Sequence, residues 1–286
     1  EAALSAAFAP KNERGYAIAL SEGVEITEHQ SSGDHEQTGL IRVVRCGALG
    51  AWLSLRFDEI EQGLSYIGTD GSDAGEASAE ILGYSYIRTM AAAFAGFGST
   101  ETARRIVCIG LGSGALPAFL HSTLRGTGVR VECWELDEQV VRVVRKHMRV
   151  RFRLESEEEE DDRFTVRIGD AGRLMESEPA GGIAAVFLDA YERTGAVPPW
   201  LRAPKFLRGC ARALERGTGM LLANCFSAPA GTRAWSEAAA FCRDAGDALG
   251  AAAAIGIEGA PSNTVVVAGE RLADAEWASA AEERAD

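Results

Sequence analysis

The sequence predicts an α/β protein: a doubly wound parallel sheet with a small β-rich segment ahead of it. Three observations carry that expectation. The stretch Arg105-Ile-Val-Cys-Ile-Gly110-Leu-Gly112-Ser-Gly114-Ala-Leu-Pro117 is an apolar run that breaks into a glycine cluster and resumes with helical periodicity. That is how a buried strand, a tight turn and a helix read in sequence. A second apolar run, Val131-Glu-Cys-Trp-Glu135-Leu-Asp137, comes next and closes on a carboxylate. Apolar runs and helical segments then alternate along the chain, as they do when crossover helices wind a parallel sheet.

Residues 1–75 differ in pattern from the rest of the chain. Short alternating or apolar runs at 41–45, 51–57 and 64–67 are separated by Gly47, Gly50, Gly63 and a Gly/Asp/Ser stretch at 68–75. They predict a small antiparallel sheet or hairpin pair, forming an N-terminal subdomain, with residues 76–286 as the larger unit. Ile81, Tyr84, Ile87, Met90 and Phe94 recur at threes and fours, so a helix is expected over 76–97, closed by Gly96 and Gly98. Seven strands are expected in the main sheet: one from Arg105, then 129–136, 163–169, 182–188, 219–224, 251–257 and 263–268, the last antiparallel. Helices are expected at 116–124, 138–149, 204–214 and 232–245. The acidic run at 155–162 interrupts this order; a single-sign run self-repels and forms a solvated loop, or docks a basic partner.

Composition narrows the function classes. With 47% hydrophobic and 25% charged residues and a formal net charge of -13, the chain reads as globular. No apolar run approaches the roughly eighteen residues of a membrane span, so no membrane partner is expected. The negative charge argues against nucleic-acid backbone, which needs clustered Lys and Arg, and suits a cationic protein or small-amine acceptor. The six cysteines, at 46, 108, 133, 210, 225 and 242, form no C-x-x-C pair. They read as reduced thiols of a cytoplasmic protein, with no metal site. A homodimer is compatible with all of this. The first residue is Glu1, not methionine, so the sequence is silent on a targeting segment ahead of it.

The motif chemistry is more specific. Gly110, Gly112 and Gly114 let the chain leave a buried strand with no Cβ in the way of a ligand. Glu135, at the end of the next strand, is placed to accept from two ribose hydroxyls. A dinucleotide loop has the spacing G-x-G-x-x-G, whereas this one is G-x-G-x-G, the tighter form associated with S-adenosylmethionine enzymes. Asp189, ending the apolar run 182–188, sits where open α/β sheets bind their ligands.

Val107-Cys-Ile-Gly-Leu-Gly-Ser-Gly-Ala-Leu-Pro, Val131-Glu-Cys-Trp-Glu-Leu-Asp, Ile168-Gly-Asp-Ala, Val186-Phe-Leu-Asp-Ala-Tyr with Pro198-Pro199, and Leu221-Leu-Ala-Asn carry a resemblance together. Over residues 81–269 the sequence resembles the spermidine-synthase-like branch of class I S-adenosylmethionine-dependent methyltransferases. Within that branch the likeness is greatest to the C-terminal domain of the enzymes that methylate elongation factor 1-alpha at its N-terminus. The resemblance implies a seven-stranded Rossmann-like methyltransferase sheet and S-adenosyl-L-methionine as cofactor. It places Gly110, Leu111, Gly112, Ser113 and Gly114 beneath the methionine part, Glu135 with Leu136 at the ribose, and Asp170 with Ala171 at the adenine. It sets Asp189 beside the sulfonium, orienting an acceptor amine, with Tyr191 and Tyr84 as walls of the acceptor channel. Asp170 could instead cap a helix, Glu135 could be a surface carboxylate, and Asp189 could turn the chain.

Polyamine synthases of the same branch are the nearest alternative. Their glycine loop carries an aspartate, suited to a decarboxylated cofactor, where this chain has Ser113; a serine can donate to the carboxylate of the intact cofactor. Their Asp-Ser-Ser-Asp-Pro run is Asp189-Ala-Tyr-Glu-Arg193 here, and their Tyr-His-Glu is Tyr84-Ser-Tyr86. Methyl transfer to an amine is therefore expected ahead of aminopropyl transfer, with a non-catalytic scaffold as a third reading.

Overall fold

Two sheets organise the chain, and the computed structural model describes residues 24–30, 39–47, 50–68, 76–98, 104–157, 164–192, 196–226, 231–257 and 263–273. The first sheet is antiparallel, in the order β1 (Val24–Gln30), β2 (Leu40–Cys46), β3 (Trp52–Phe57) and β4 (Ile60–Tyr66). Its last three strands match the expected hairpins, whereas β1 was not legible as a strand. Most of the stretch at 68–75, part of the acidic run and the turn at 258–262 lie outside the described residues.

The second sheet has eight strands in the order β11-β12-β10-β9-β5-β6-β8-β7. These are β5 (Arg105–Ile109), β6 (Arg130–Glu135), β7 (Arg153–Leu154), β8 (Thr165–Ile168), β9 (Ala185–Leu188), β10 (Met220–Phe226), β11 (Ala252–Gly256) and β12 (Asn263–Ala268). Strands β5 to β10 run parallel, and β12 lies antiparallel between β10 and β11, as expected for the last strand. The eighth strand is β7, a two-residue edge strand too short to leave a pattern in sequence.

The helices are α1 (Ser85–Phe97), α2 (Ala115–Thr123), α3 (Glu138–His147), α4 (Ala171–Ser177), α5 (Pro204–Ala213) and α6 (Arg233–Leu249). The expected helix over 76–97 is real only from Ser85. Ahead of it the chain is extended against the first sheet: the Ser78 amide donates to the Tyr66 carbonyl at 2.7 Å, and the Ala77 amide to Arg149 at 2.9 Å. Those tertiary bonds satisfy the two amides outside any helix. Helix α3 stops before Arg149, whose φ of 58° is left-handed.

Apolar side chains of both sheets share one cluster. Ile41, Val43, Leu53 and Leu55 of the first sheet are buried in the same core as Ile106, Val131 and Phe187 of the second. On the other face, Val107, Val186 and Leu188 pack with Leu207 and Phe241. Strands buried on both faces need continuous apolar runs, which is what β5 and β9 carry. At the opening ends of the strands, Arg105 is fixed between Glu132 (2.8 Å) and Glu178 (2.6 Å). The consequence for function is topological. From β5 the chain runs outward to β6 and β8 on one side, then returns to β9 and β10 on the other. The crevice beyond the carboxyl ends of β5 and β9 is thus the switch point, where open α/β sheets bind ligands. No helix among the described residues is long and apolar enough to cross a membrane.

Candidate active site

A narrow cleft of about 80 Å³ opens at the switch point, and a larger chamber of about 480 Å³ lies beside it. Gly110, leaving β5, has φ 93°, and a Cβ there would lie 2.5 Å from the Asp189 carbonyl oxygen. Only glycine lets the two strand ends come this close. Gly112 is similarly constrained by the first sheet, since its Cβ would meet the Gln62 carbonyl at 3.0 Å.

The cleft is lined by Gly110, Gly112, Glu135, Leu136, Asp170, Ala171, Asp189 and Tyr191, together with Phe57 and Gln62 from the first sheet and Trp200. Glu135 is buried with one backbone donor on each oxygen: Leu111 N at 2.9 Å and Asp137 N at 3.0 Å. Burial pushes the Glu135 carboxyl up from its ordinary value, against those two amides, which pull it down. Asp170 does what its alternative reading required and also lines the cleft: its Oδ1 accepts from Arg173 N at 2.8 Å, capping α4.

Three residues expected at the cofactor stand behind the cleft lining. Leu111 is buried and reaches Glu135 only through its amide. Ser113 is 4% exposed, its carbonyl accepts from Ser65 Oγ at 3.2 Å, and its Oγ would be 2.8 Å from a Cβ on Gly63. It faces β4, so its position gives no basis for a hydrogen bond to a cofactor carboxylate; packing of the hairpin on the loop is what a small residue serves here. Gly114, at φ 81°, makes room for Val150 and Val144.

Asp189 lines the cleft and is tied to the chamber through hydrogen bonds to two of its wall residues. Its Oδ1 accepts from Asn224 Nδ2 at 2.9 Å and its Oδ2 from the Tyr86 hydroxyl at 3.3 Å. Desolvation, only partly offset by those two hydrogen bonds, leaves its carboxyl raised from 3.8 to about 6. Tyr86 stacks on Tyr84, centroids 5.3 Å apart and planes at 18°. The Tyr84 hydroxyl donates to Glu61, which also accepts from Ser54 Oγ at 2.6 Å. Burial raises the Glu61 carboxyl as well. Tyr191 donates to the Asn224 carbonyl at 2.9 Å. Tyr84 and Tyr191 are therefore chamber walls, joined by Glu61, Tyr86, Asn224 and Asn263.

Sequence reasoning missed Glu61, Gln62 and Asn263 altogether and left Tyr86 and Asn224 without roles. The first two lie at the start of β4, which begins at Ile60, ahead of the apolar run at 64–67. Among the described residues no group of three or more His, Cys, Asp or Glu side chains could hold a metal ion.

No protein-family model matches the sequence, and no curated protein matches it. Solved structures do match in fold. A probable spermidine synthase from Corynebacterium glutamicum superposes with TM-score 0.66 at 16% identity, over 91% of this chain and 85% of that one. Spermidine synthase from Thermotoga maritima gives 0.56 at 13%, over 86% and 73%. Human methyltransferase-like protein 13 in complex with SAH gives 0.52 at 17%, over 65% and 82%. The chain thus has the fold shared by spermidine synthases and class I S-adenosylmethionine-dependent methyltransferases, a mostly parallel eight-stranded sheet with a small antiparallel sheet ahead of it.

Proposed function

We propose that this chain is an enzyme that moves a methyl group from S-adenosyl-L-methionine to a neutral amine. The observation that carries the reading is the position of Asp189, part-buried in the cleft lining and held by the chamber residues Tyr86 and Asn224. Glu135 fits two adjacent ribose hydroxyls, and Asp170 with Ala171 fits an adenine edge and face. For the cofactor to enter, Phe57, Gln62 and Trp200 would have to part, because they close the cleft to its small volume.

When bound, the sulfonium supplies an activated carbon, whose bond to sulfur breaks as the amine nitrogen bonds to it. The protein supplies alignment, which needs no covalent nucleophile. Asp189 accepts a hydrogen bond from the incoming amine and takes its proton; a carboxyl near 6 is ionised at neutral pH yet more basic than an ordinary aspartate. Tyr84, Tyr86 and Tyr191 wall the amine in, and Glu61 gives the chamber a second acidic group. The carboxylates of Glu61 and Glu237 and the tyrosine walls support a small cationic amine. An amine on a protein, an N-terminus or a lysine, would have to enter as a single side chain or chain end.

Aminopropyl transfer is the second reading. What supports it is the contribution of the first sheet to both compartments, through Phe57, Glu61 and Gln62, in a fold that overlays a probable spermidine synthase over 91% of this chain. Incubation with methyl-labelled S-adenosyl-L-methionine and a panel of mono- and diamines separates the two. Label on the amine is the expected result; product only with the decarboxylated cofactor would move the assignment to the second reading.

A further inference from the structure

Asp189 stands at the end of a row of amides. Its Oδ1 accepts from Asn224 Nδ2 at 2.9 Å, and Asn224 Oδ1 accepts from Asn263 Nδ2 at 3.0 Å. Asp189 comes directly after β9, Asn224 sits within β10 and Asn263 opens β12, where it pairs with Phe226, two positions beyond Asn224. A carboxamide has one donor end and one acceptor end, and an ionised carboxylate only accepts. A donor from residue 263 therefore obliges Asn224 to present its NH2, not its carbonyl, to Asp189. Asn224 is 2% exposed, so a rotated amide would turn a buried acceptor toward the part-buried Asp189 carboxylate, itself an acceptor.

We propose that Asn263 is a positioning residue: its amide fixes the orientation of the Asn224 side chain, which keeps a donor on Asp189 Oδ1 and leaves Oδ2 to Tyr86 and the acceptor amine. The consequence for catalysis rests on the proposed role of Asp189 as partner of that amine. Other titratable or charged groups surround the carboxylate: Tyr86 on α1, Tyr191 two residues on, and Cys108 on β5. Glu61, Arg202 and Glu237 line the chamber beyond. Among the described residues, none of these replaces the donor that Asn263 gives the Asn224 carboxamide.

The test uses the full chain with Asn263→Ala and Asn263→Asp. The Asp189 titration is read directly, by infrared difference spectra of carboxyl-labelled aspartate with Asp189→Asn as the blank, and needs no acceptor. Asn263→Ala frees the Asn224 amide and should raise the Asp189 midpoint by about half a unit to one unit. Asn263→Asp, an acceptor when ionised, reverses the amide and should raise it further. The acid limb of kcat/KM for the amine that wild type modifies should move by the same amount, with cofactor affinity unchanged. Both variants titrating at the wild-type midpoint would overturn the relay. So would a shift in Asn263→Asp alone, which is charge and not orientation. A shifted midpoint with an unmoved acid limb would uphold the relay and sink the assignment of Asp189 as the reacting group's partner.

Discussion

The cleft and the chamber are linked through Asp189, which lines the first and is bonded to two wall residues of the second, but they are built in different ways. The cleft comes from the carboxyl ends of strands next to one another in a parallel sheet: Gly110 after β5, Glu135 at the end of β6, Asp170 after β8, Asp189 after β9. Each stands at or just after the end of a strand, so position in the sheet can be read from position in the sequence. The chamber is assembled from separate stretches: Glu61 from the first sheet, Tyr84 and Tyr86 at the start of α1, Tyr191 after β9, Asn224 and Asn263 from two antiparallel strands. A cofactor site can thus be a property of the fold, whereas an acceptor site is a property of the particular chain.

The largest effect that would break this division is expected at the joint. Asp189→Asn should lower transfer by roughly 10²- to 10⁴-fold, the range of a lost general base, while cofactor affinity stays within about threefold. The rate should also fall as pH drops through about 6, because the carboxylate is the active form.

The same substitution should change stability in the other direction. Burial raises the Asp189 carboxyl from 3.8 to about 6, so the folded protein binds this proton more tightly than the unfolded chain does. That advantage is complete below about pH 4 and is lost as pH rises through 6. Chemical denaturation should therefore find Asp189→Asn more stable than wild type at pH 7.5 by up to about 3 kcal/mol, relative to the same comparison at pH 4. An equal difference at both pH values would mean that Asp189 carries no such cost.

Glu135→Ala acts on the cleft alone. It strips the acceptor from two buried amides, costing roughly 1–3 kcal/mol in thermal unfolding, and should weaken cofactor binding at least about tenfold. Gly110→Ala should cost about 1–3 kcal/mol through its left-handed φ and the collision with the Asp189 carbonyl; unlike Glu135→Ala, it should also slow transfer by displacing Asp189. Smallest is Tyr191→Phe, which removes one hydrogen bond to Asn224, worth about 1 kcal/mol. It should raise KM for the amine a few-fold with cofactor affinity unmoved.

The division also explains what was legible in the sequence. The glycine loop after β5 and the carboxylate after β9 were readable because strands covered on both faces are apolar runs, and what ends them stands out. Ser113 was assigned to the cofactor by adjacency along the loop, which does not register the packing of Gly63 and Ser65 against it. The start of α1 was overextended because periodicity cannot register the bonds from Ala77 and Ser78 to distant carbonyls. Asn263 was illegible because its meaning depends on pairing across a strand that returns antiparallel.

Calorimetric titration of S-adenosyl-L-methionine into wild type, Glu135→Gln and Asp189→Asn tests the division between cofactor cleft and acceptor chamber most directly. Saturable one-to-one binding by wild type, weakened at least about tenfold by Glu135→Gln and changed less than about threefold by Asp189→Asn, is the predicted result. No binding by wild type, or equal binding by wild type and Glu135→Gln, would contradict it.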